Sequence, residues 1–254
     1  MSSYHKLLNN LESLELFHLK DLFPTHLERA IHQELSLTDS LLDLTEKELE
    51  YRQKIALENR LKRACFPFLK TIKDFDFDFQ SKLKKAEVMD LNTLRFMDTQ
   101  DNLLFIGNSG VGKTHLATAI GMEAVHRNFS VLFDPSNQLV EKLDRSHRRG
   151  TLEATLARYS KYDLLIIDEI GYLPMSANGA NLFFQLINKR YEKKSTILTS
   201  NIPLSQWTEV FGDKKLTNAI IDRLIHHSKI ISINGKSYRM KDYMETKATL
   251  PPPQ

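Results

Sequence analysis

The spacing of the hydrophobic positions changes along the chain. Thr45 and Glu48 have the spacing of a capping box, and Glu48 precedes Arg52 by four residues, the favoured order for a helical ion pair. The pattern predicts a small all-helical domain over residues 1–70, with one helix that begins near Thr45 and ends before Pro67. Four leucines near the N-terminus also recur at helical spacing: Leu7, Leu8, Leu11 and Leu14.

Residues 71–101 have a different pattern, in which aromatic and acidic side chains alternate. A period of two favours an extended segment over a helix. We expect a linker that docks on a protein surface, since exposed aromatic side chains in an extended segment favour aggregation. The alternating residues are Asp74, Phe75, Asp76, Phe77, Asp78 and Phe79.

From residue 102 onward, short apolar runs alternate with helical stretches. Such runs, flanked by turn residues, are typical of parallel strands buried on both faces. The predicted fold class is α/β, a doubly wound parallel sheet of about five strands in a domain over residues 102–248. The tail 249–254, with three prolines, is expected to be disordered. The apolar runs are Leu103–Ile106, Val131–Phe133, Leu164–Ile167, Thr196–Thr199 and Ile230–Ile233.

The composition limits where the protein acts and which stabilising bonds it uses. A single cysteine, Cys65, excludes a disulfide framework and a cysteine-based zinc site. No apolar stretch approaches the ~20 residues that span a bilayer, so we expect no membrane association and a cytoplasmic location. The net charge is +3, but residues 99–254 carry 20 Lys and Arg against 15 Asp and Glu, so the basic excess lies there.

A phosphate-binding loop lies directly after the first predicted strand. The segment fits G-x-x-x-x-G-K-[ST] and opens a helical stretch, which is the context that this motif requires. Its glycines would turn backbone N–H groups toward phosphate, Lys113 would neutralise the terminal phosphates of ATP, and Thr114 would bind Mg²⁺. The predicted nucleotide contacts are Gly107, Asn108, Ser109, Gly110, Val111, Gly112, Lys113, Thr114 and His115.

Two acids end the third apolar run, where ligands bind in open α/β sheets. Asp168 would hold Mg²⁺ together with Thr114, and Glu169 would act as general base toward a water molecule. A second acid at this position favours hydrolysis over transfer to an organic acceptor. Asn201, which follows the fourth run, would orient the same water or sense the γ-phosphate, with Thr199 or Ser200 assisting, although polar residues after a strand also serve as turn formers.

Two further groups of residues suggest contacts with other molecules. Arg223, in an otherwise apolar helical segment, would reach a neighbouring subunit's nucleotide, or else pair with Asp222 or be solvated. His226 and His227 would face different directions on one helix, so we predict no metal site there.

Two basic clusters could contact DNA phosphates or simply be solvated. Their predicted contacts are Lys142, Arg145, Arg148, Arg149, Lys189 and Arg190.

Several segments together resemble the IstB family of AAA+ ATPases, which help the transposases of one insertion-sequence group and are close to the DnaC helicase loader. The resemblance extends over nearly the whole chain, and the Tyr-Leu-Pro and Ser-Gln-Trp segments favour IstB over DnaC. The residues that carry it are Gly110–Ala117, Leu164–Pro174, Thr199–Trp207, Ile221–Leu224 and Ser237–Arg239, with Glu48–Arg52, Ala64–Pro67 and Phe75–Phe77 nearer the N-terminus.

The resemblance implies partners and roles that the spacing alone does not. Arg223 matches the arginine finger, which implies a ring or spiral oligomer with ATP at subunit interfaces. Arg239 matches a residue at the nucleotide or the subunit junction. The implied partners are double-stranded DNA and a transposase, with the bacterial nucleoid as the place of action. Helicase loading in DNA replication is the alternative. About twenty residues follow the last predicted strand, so we expect no separate C-terminal helical lid, and the resemblance assigns no residue to the second sensor.

Overall fold

The computed structural model describes residues 2–241, so the predicted disordered tail 249–254 lies outside the described residues. The chain divides into two compact units, residues 1–59 and residues 60–254. Residues 60–101 thus belong to the same unit as the sheet. The domain boundaries expected from the sequence, near residues 70 and 101, remain a prediction.

The first unit is helical. It contains α1 (Ser3–Ser13), α2 (Phe17–His32) and most of α3 (Leu37–Ala64). The predicted helix start at Thr45 is wrong, because α3 begins eight residues earlier. Ser36 accepts a hydrogen bond from the Asp39 N–H and donates one to its carboxylate, so the cap forms there. The predicted pair of Glu48 and Arg52 is confirmed, with 2.7 Å between Oε1 and Nε.

The second unit contains a parallel five-stranded sheet in the order β2-β3-β4-β1-β5, which confirms the predicted fold class. The strands are β1 (Asn102–Ile106), β2 (Val131–Pro135), β3 (Leu164–Ile170), β4 (Ser195–Ser200) and β5 (Ser228–Ser232). The helices are α4 (Lys85–Leu91), α5 (Arg95–Asp98), α6 (Lys113–His126), α7 (Ser136–Arg148), α8 (Leu152–Lys161), α9 (Ala177–Arg190), α10 (Trp207–Phe211) and α11 (Lys214–Ile225).

Alternate residues of the strands face opposite sides of the sheet, and both sides are covered. Leu165, Ile167 and Leu198 belong to one core cluster together with residues of α7 to α11. Ile166 faces α6, where Gly121 permits close approach, since a Cβ at that position would lie 2.6 Å from Ile166 Cδ1. Burial on both faces explains why each strand appears in the sequence as a continuous apolar run.

The segment of alternating aromatic and acidic residues is not extended, contrary to the prediction. It contains a 3₁₀ turn, Ile72–Asp74, and further turns. The Asp74 carboxylate accepts hydrogen bonds from the backbone N–H and the hydroxyl of Thr71, at 2.7 and 2.8 Å, which closes the turn. Among the described residues, no helix has both the length and the apolarity that crossing a bilayer requires.

Candidate functional site

The loop between β1 and α6 has the shape of a phosphate cradle. Gly110 and Gly112 adopt left-handed backbone conformations, with φ of 78° and 100°, which side chains with a Cβ rarely adopt. Their neighbours also require glycine: a Cβ on Gly112 would lie 2.5 Å from the Phe75 ring, and one on Gly110 would lie 2.1 Å from the Ser237 hydroxyl. The N-terminus of α6 adds positive potential to the N–H groups of the loop.

Lys113 is the first residue of α6 and is buried, with 7% of its surface exposed. Its ammonium donates hydrogen bonds to the carbonyl oxygens of Gly107 and Asn108, at 2.7 and 2.8 Å. Burial lowers the pKa of Lys113, and the nearby carboxylates of Asp168 and Glu169 oppose that shift. The cation is therefore held inside the loop in a position to meet a phosphate group.

Asp168, on β3, lies at the centre of a cluster of hydroxyl groups. The Thr114 hydroxyl lies 3.0 and 3.1 Å from its two carboxylate oxygens, and the Thr199 hydroxyl donates to Oδ1 at 2.6 Å. Burial raises the pKa of Asp168, and the hydrogen bonds from Thr199 and Thr114 oppose the rise. A carboxylate and a hydroxyl beside a phosphate loop are the oxygen ligands that Mg²⁺ uses with nucleotides, so these residues fit that ion.

Glu169 follows Asp168 in a backbone conformation that is unusual for a residue other than glycine, with φ of 62°. The register between β3 and β4 shifts between Ile167 and Ile170, so the strand has an irregularity at the two acids. Both sides of Glu169 are held, because its N–H donates to the Thr199 hydroxyl and its carbonyl accepts from the Ser136 hydroxyl, each at 2.9 Å. The irregularity turns the Glu169 side chain out of the buried strand and leaves it exposed.

A cavity of about 490 Å³ lies beside the phosphate loop, and Asp168, Gly107 and Asn108 are not among the residues that line it. Of the residues predicted to act at the nucleotide, Glu169, Asn201 and Arg239 line it together with the loop residues 109–115. Asn201 presents a buried Oδ1 that has no hydrogen-bond partner. Asn201 thus lines the same cavity as the predicted base. The remaining wall comes from residues that the sequence analysis did not assign to the nucleotide: Phe68, Lys70, Asp74, Phe75, Asp76, Gln80, Tyr172 and Tyr238.

Two segments distant in sequence enclose the phosphate loop. On one side, the Phe75 ring packs against His115 at 5.4 Å between centroids, and His115 Nε2 donates to the Thr71 carbonyl at 2.9 Å. On the other side, the Tyr238 N–H donates to the Gly110 carbonyl at 2.8 Å. The aromatic rings beside the loop give the cavity an apolar part that suits a nucleobase.

Arg223 does not line this cavity. It lies on α11, where its Nε donates to Asn188 Oδ1 at 2.8 Å and its guanidinium lies 4.7 Å from the centre of the Phe184 ring. No ion pair between Arg223 and Asp222 occurs within the described residues, so the alternative interpretation keeps only its second form, a solvated arginine. Within one chain, Arg223 is separate from the residues that surround the phosphate loop.

The prediction that Arg190 contacts DNA is wrong. Its side chain is 2% exposed and fills the space between α8 and β4. Its guanidinium donates to the carbonyls of Tyr159, Tyr162 and Ser195 and to the Thr196 hydroxyl, at 2.5–3.1 Å. Burial lowers the pKa of Arg190 to about 9. The Arg190 side chain links the end of α8 to the start of β4, and it is too deeply buried to contact a DNA phosphate.

The other predicted DNA contacts differ in how their charges are used. Lys142 lies 2.8 Å from the carboxylate of buried Asp134, which also accepts from the Tyr159 hydroxyl. Its charge therefore compensates a buried acid. Arg145, Arg148 and Lys189 form exposed pairs with Glu141, Asp144 and Glu153, and Arg149 is exposed just after α7. Exposed pairs of this kind are weak, so these three side chains can exchange partners.

The chain matches the model of the family described as IstB-like ATP binding protein over residues 9–246. The chain belongs to this family. It is 46% identical to the ATP-binding protein of insertion sequence IS232 from Bacillus thuringiensis over 242 residues, which cover 95% of this chain and 97% of the relative. It is 42% identical to the corresponding IS21 protein of Pseudomonas aeruginosa over 238 residues, covering 94% and 90%. Family membership confirms the resemblance noted from the sequence.

Solved structures of other proteins superpose on this IstB-like chain. DnaA from Aquifex aeolicus, bound to AMPPCP, superposes with a TM-score of 0.57 at 21% identity, covering 72% of this chain and 56% of that chain. DnaI superposes with a TM-score of 0.55 at 23% identity, covering 65% and 90%. These superpositions support the observed fold, a parallel sheet with helices on both faces.

Thr199 has a larger part in the site than the sequence indicates. The sequence suggests only that Thr199 or Ser200 assists Asn201, yet the Thr199 hydroxyl joins both acids to the neighbouring strand. A threonine at the end of an apolar run, one position before a second hydroxyl residue, was the available signal. The order of strands in the sheet, which puts β4 beside β3, is needed to interpret that signal.

Proposed function

We propose that this chain hydrolyses ATP, with Glu169 as the general base. The observation that carries the proposal is the way in which Thr199 and Ser136 hold the Glu169 backbone at the edge of the cavity beside the phosphate loop. Lys113 would bind the terminal phosphates, where negative charge accumulates. Asn201, with its unpartnered amide oxygen, would orient the attacking water toward Glu169.

Thr114 and Asp168 would hold Mg²⁺, which when bound neutralises charge on the phosphates. Support comes from the contact between the two side chains at 3.0 Å and from their position beside Lys113. The hydroxyl of Thr199 donates to Oδ1 of Asp168 and so opposes the rise in the pKa of this carboxyl that burial causes. The same hydroxyl accepts from Glu169, so one residue would position both the metal-binding acid and the base.

We further propose that hydrolysis is linked to DNA transposition. The chain's relatives are the ATP-binding proteins of insertion sequences. In this proposal, an ATP-bound oligomer grips and deforms double-stranded DNA, recruits a transposase and is reset by hydrolysis. Arg145, Arg148 and Arg149, exposed near the end of α7, would contact phosphates without reading sequence. We expect the protein to act in the cytoplasm at the nucleoid.

Arg223 would complete the ATP site of a neighbouring subunit in a ring or spiral. Its position on α11, away from the chain's own cavity, supports a role between subunits. Arg239, which lines the cavity beside the phosphate loop, would contact the nucleotide from within the same chain. Asn188 and Phe184 hold the Arg223 side chain until the neighbour's phosphates replace them.

Three single variants test this function. Lys113→Ala should lose ATP binding, Glu169→Gln should bind ATP without hydrolysing it, and Arg223→Ala should bind ATP but lose roughly 10³-fold or more in hydrolysis. A mixture of Lys113→Ala and Arg223→Ala should regain activity, because one supplies an intact finger and the other an intact phosphate loop. Wild-type hydrolysis by Glu169→Gln would contradict the assigned base, and wild-type hydrolysis by Arg223→Ala would contradict the shared site.

Binding to duplex and single-stranded DNA distinguishes transposition from helicase loading. With a non-hydrolysable ATP analogue, the wild-type protein should form oligomers on duplex DNA that imaging can count, and Glu169→Gln should stay on duplex DNA longer than wild type in ATP. Poor duplex binding, combined with capture of a replicative helicase by the N-terminal helices, would favour helicase loading instead.

A further inference from the structure

Three potential metal ligands lie together at the edge of the sheet opposite the phosphate loop. Glu192 lies just before β4, and His226 and His227 lie just before β5, so all three are at the amino ends of parallel strands. Two adjacent histidines on one helix would face different directions, which is why the sequence predicted no metal site here. However, α11 ends at Ile225, and His226 and His227 lie in the turn that follows it.

The turn brings both imidazoles to the same carboxylate. His226 Nδ1 lies 3.7 Å and His227 Nε2 lies 3.5 Å from Glu192 Oε1. One ligand atom from each residue lies within 4.8 Å of the others. In a tetrahedral site with bonds of 2.0–2.2 Å, neighbouring ligand atoms are about 3.3–3.6 Å apart. The two separations between an imidazole nitrogen and the carboxylate are thus close to that value. The separation between the two imidazole nitrogens would reach it by rotation of these exposed side chains.

A second carboxylate lies near one of the two imidazoles. The second ring nitrogen of His227 faces the Asp101 carboxylate at 4.0 Å, and metal-bound histidines commonly direct their other nitrogen to a carboxylate. Glu192 has a left-handed backbone, with φ of 55°, fixed by its place between α9 and β4. The Tyr191 hydroxyl, 3.1 Å from His226 Nδ1, competes for that nitrogen and would have to release it.

We propose that Glu192, His226 and His227 bind one divalent transition-metal ion of the zinc class. Two imidazoles and a carboxylate suit Zn²⁺, whereas Mg²⁺ prefers oxygen ligands alone, so the proposed site and the nucleotide site select different ions. Three protein ligands leave the fourth position to water. The bound ion would join the turn before β4 to the end of α11, the helix that carries Arg223, without contact with the nucleotide cavity.

Metal titration of the untagged protein tests this site, since a polyhistidine tag would bind the same ions. Calorimetry with Zn²⁺ in buffer containing excess Mg²⁺ should give one ion per chain. Glu192→Gln and His227→Ala should each weaken binding by ~10-fold or more, and Asp101→Asn should weaken it by a smaller factor. His126→Ala, an exposed histidine at the end of α6, is the matched control and should bind as wild type does.

Co²⁺ gives a second readout, because a tetrahedral site produces strong visible absorption that an octahedral hydrated ion lacks. We expect that absorption with the wild type, the His126→Ala control and Lys113→Ala, and its loss in Glu192→Gln. Absence of stoichiometric Zn²⁺ binding would overturn the proposal. Binding that Glu192→Gln and His227→Ala leave unchanged would overturn it equally, since the ion would then lie elsewhere. Because Lys113→Ala keeps this site, failure here is distinguishable from failure of the ATPase proposal.

Discussion

Replacing Thr199 with valine should destabilise the protein more than its small change in shape suggests. Valine has nearly the same volume as threonine and suits a strand, so packing and strand propensity change little. What it removes is one hydroxyl that donates to Asp168 at 2.6 Å and accepts from the Glu169 N–H at 2.9 Å. Thr199 is completely buried, so water cannot take the place of the missing group.

The size of the effect follows from these two hydrogen bonds. A hydrogen bond to a charged group contributes about 1.5–3 kcal/mol to stability, and a neutral one contributes about 0.5–1.5 kcal/mol. Their sum, about 2–4.5 kcal/mol, is the expected loss in the free energy of unfolding for Thr199→Val. Relaxation of the β3 irregularity toward a regular strand would reduce the loss, because the unusual Glu169 backbone would then no longer be required.

The protein offers a matched control in Thr118. This residue, on α6, is also completely buried, but its hydroxyl has no hydrogen-bond partner. Thr118→Val should therefore be neutral or stabilising, because it removes an unsatisfied polar group. Thr199→Ser keeps the hydroxyl and should retain most of the stability that valine loses. Urea denaturation of the four proteins, with a shared slope, measures these differences.

The pH dependence of stability provides a second test of the role of the Thr199 hydroxyl. Burial raises the pKa of Asp168, and the Thr199 hydroxyl opposes the rise, so Thr199→Val should raise the pKa further. A carboxyl with a raised folded-state pKa stabilises the fold fully below its unfolded pKa, and this contribution is lost as pH rises through the folded pKa. The variant's deficit should therefore be largest at neutral pH and shrink on mild acidification. Equal stability of Thr199→Val and Thr118→Val at neutral pH would refute the argument.

Two further predictions concern the basic residues. Arg190→Lys should lose about 2 kcal/mol of stability in urea denaturation, because three ammonium donors cannot replace four guanidinium hydrogen bonds, while duplex affinity stays as in wild type. A weaker salt dependence of DNA binding in this variant would contradict its buried role. Arg148→Ala combined with Arg149→Ala should weaken binding to all duplex sequences alike and reduce the salt slope by up to about two units per subunit. An unchanged slope would mean that both arginines are only solvated.

The sheet and the phosphate loop could be predicted from the sequence because their signals are local. A strand buried on both faces must be a continuous apolar run, and a phosphate loop needs its glycines at fixed spacing. Each of the five predicted runs overlaps a strand of the sheet, with ends within two residues or so of those observed, apart from a longer extension of β3 through its two acids. That extension depends on hydrogen bonds to Thr199 and Ser136, which come from other elements.

The basic clusters show where a count of charges is insufficient. Arg190 ends the buried face of α9, four residues after Leu186 and three after Ile187, so helical periodicity contained the evidence that it points inward. The charge of Arg190 suggested an exposed side chain, but its position on the helix predicts a buried one. Arg148 has an equal charge and lies on the exposed face of α7, so the two arginines have different roles for a reason that periodicity supplies.

The hydrogen bonds around Glu169 suggest how ATP and DNA would influence each other under the proposed function. Ser136, which donates to the Glu169 carbonyl, is the first residue of α7, and the exposed arginines lie at the other end of that helix. Coupling between two sites needs an element with two arrangements that each site can bias. Under the proposed function, the Glu169 backbone would be such an element, because losing either of its two hydrogen bonds favours the ordinary strand conformation over the left-handed one. A change in this conformation when ATP and the attacking water occupy the cavity would thus act on the N-terminus of α7, and the helix would carry the displacement to the arginines.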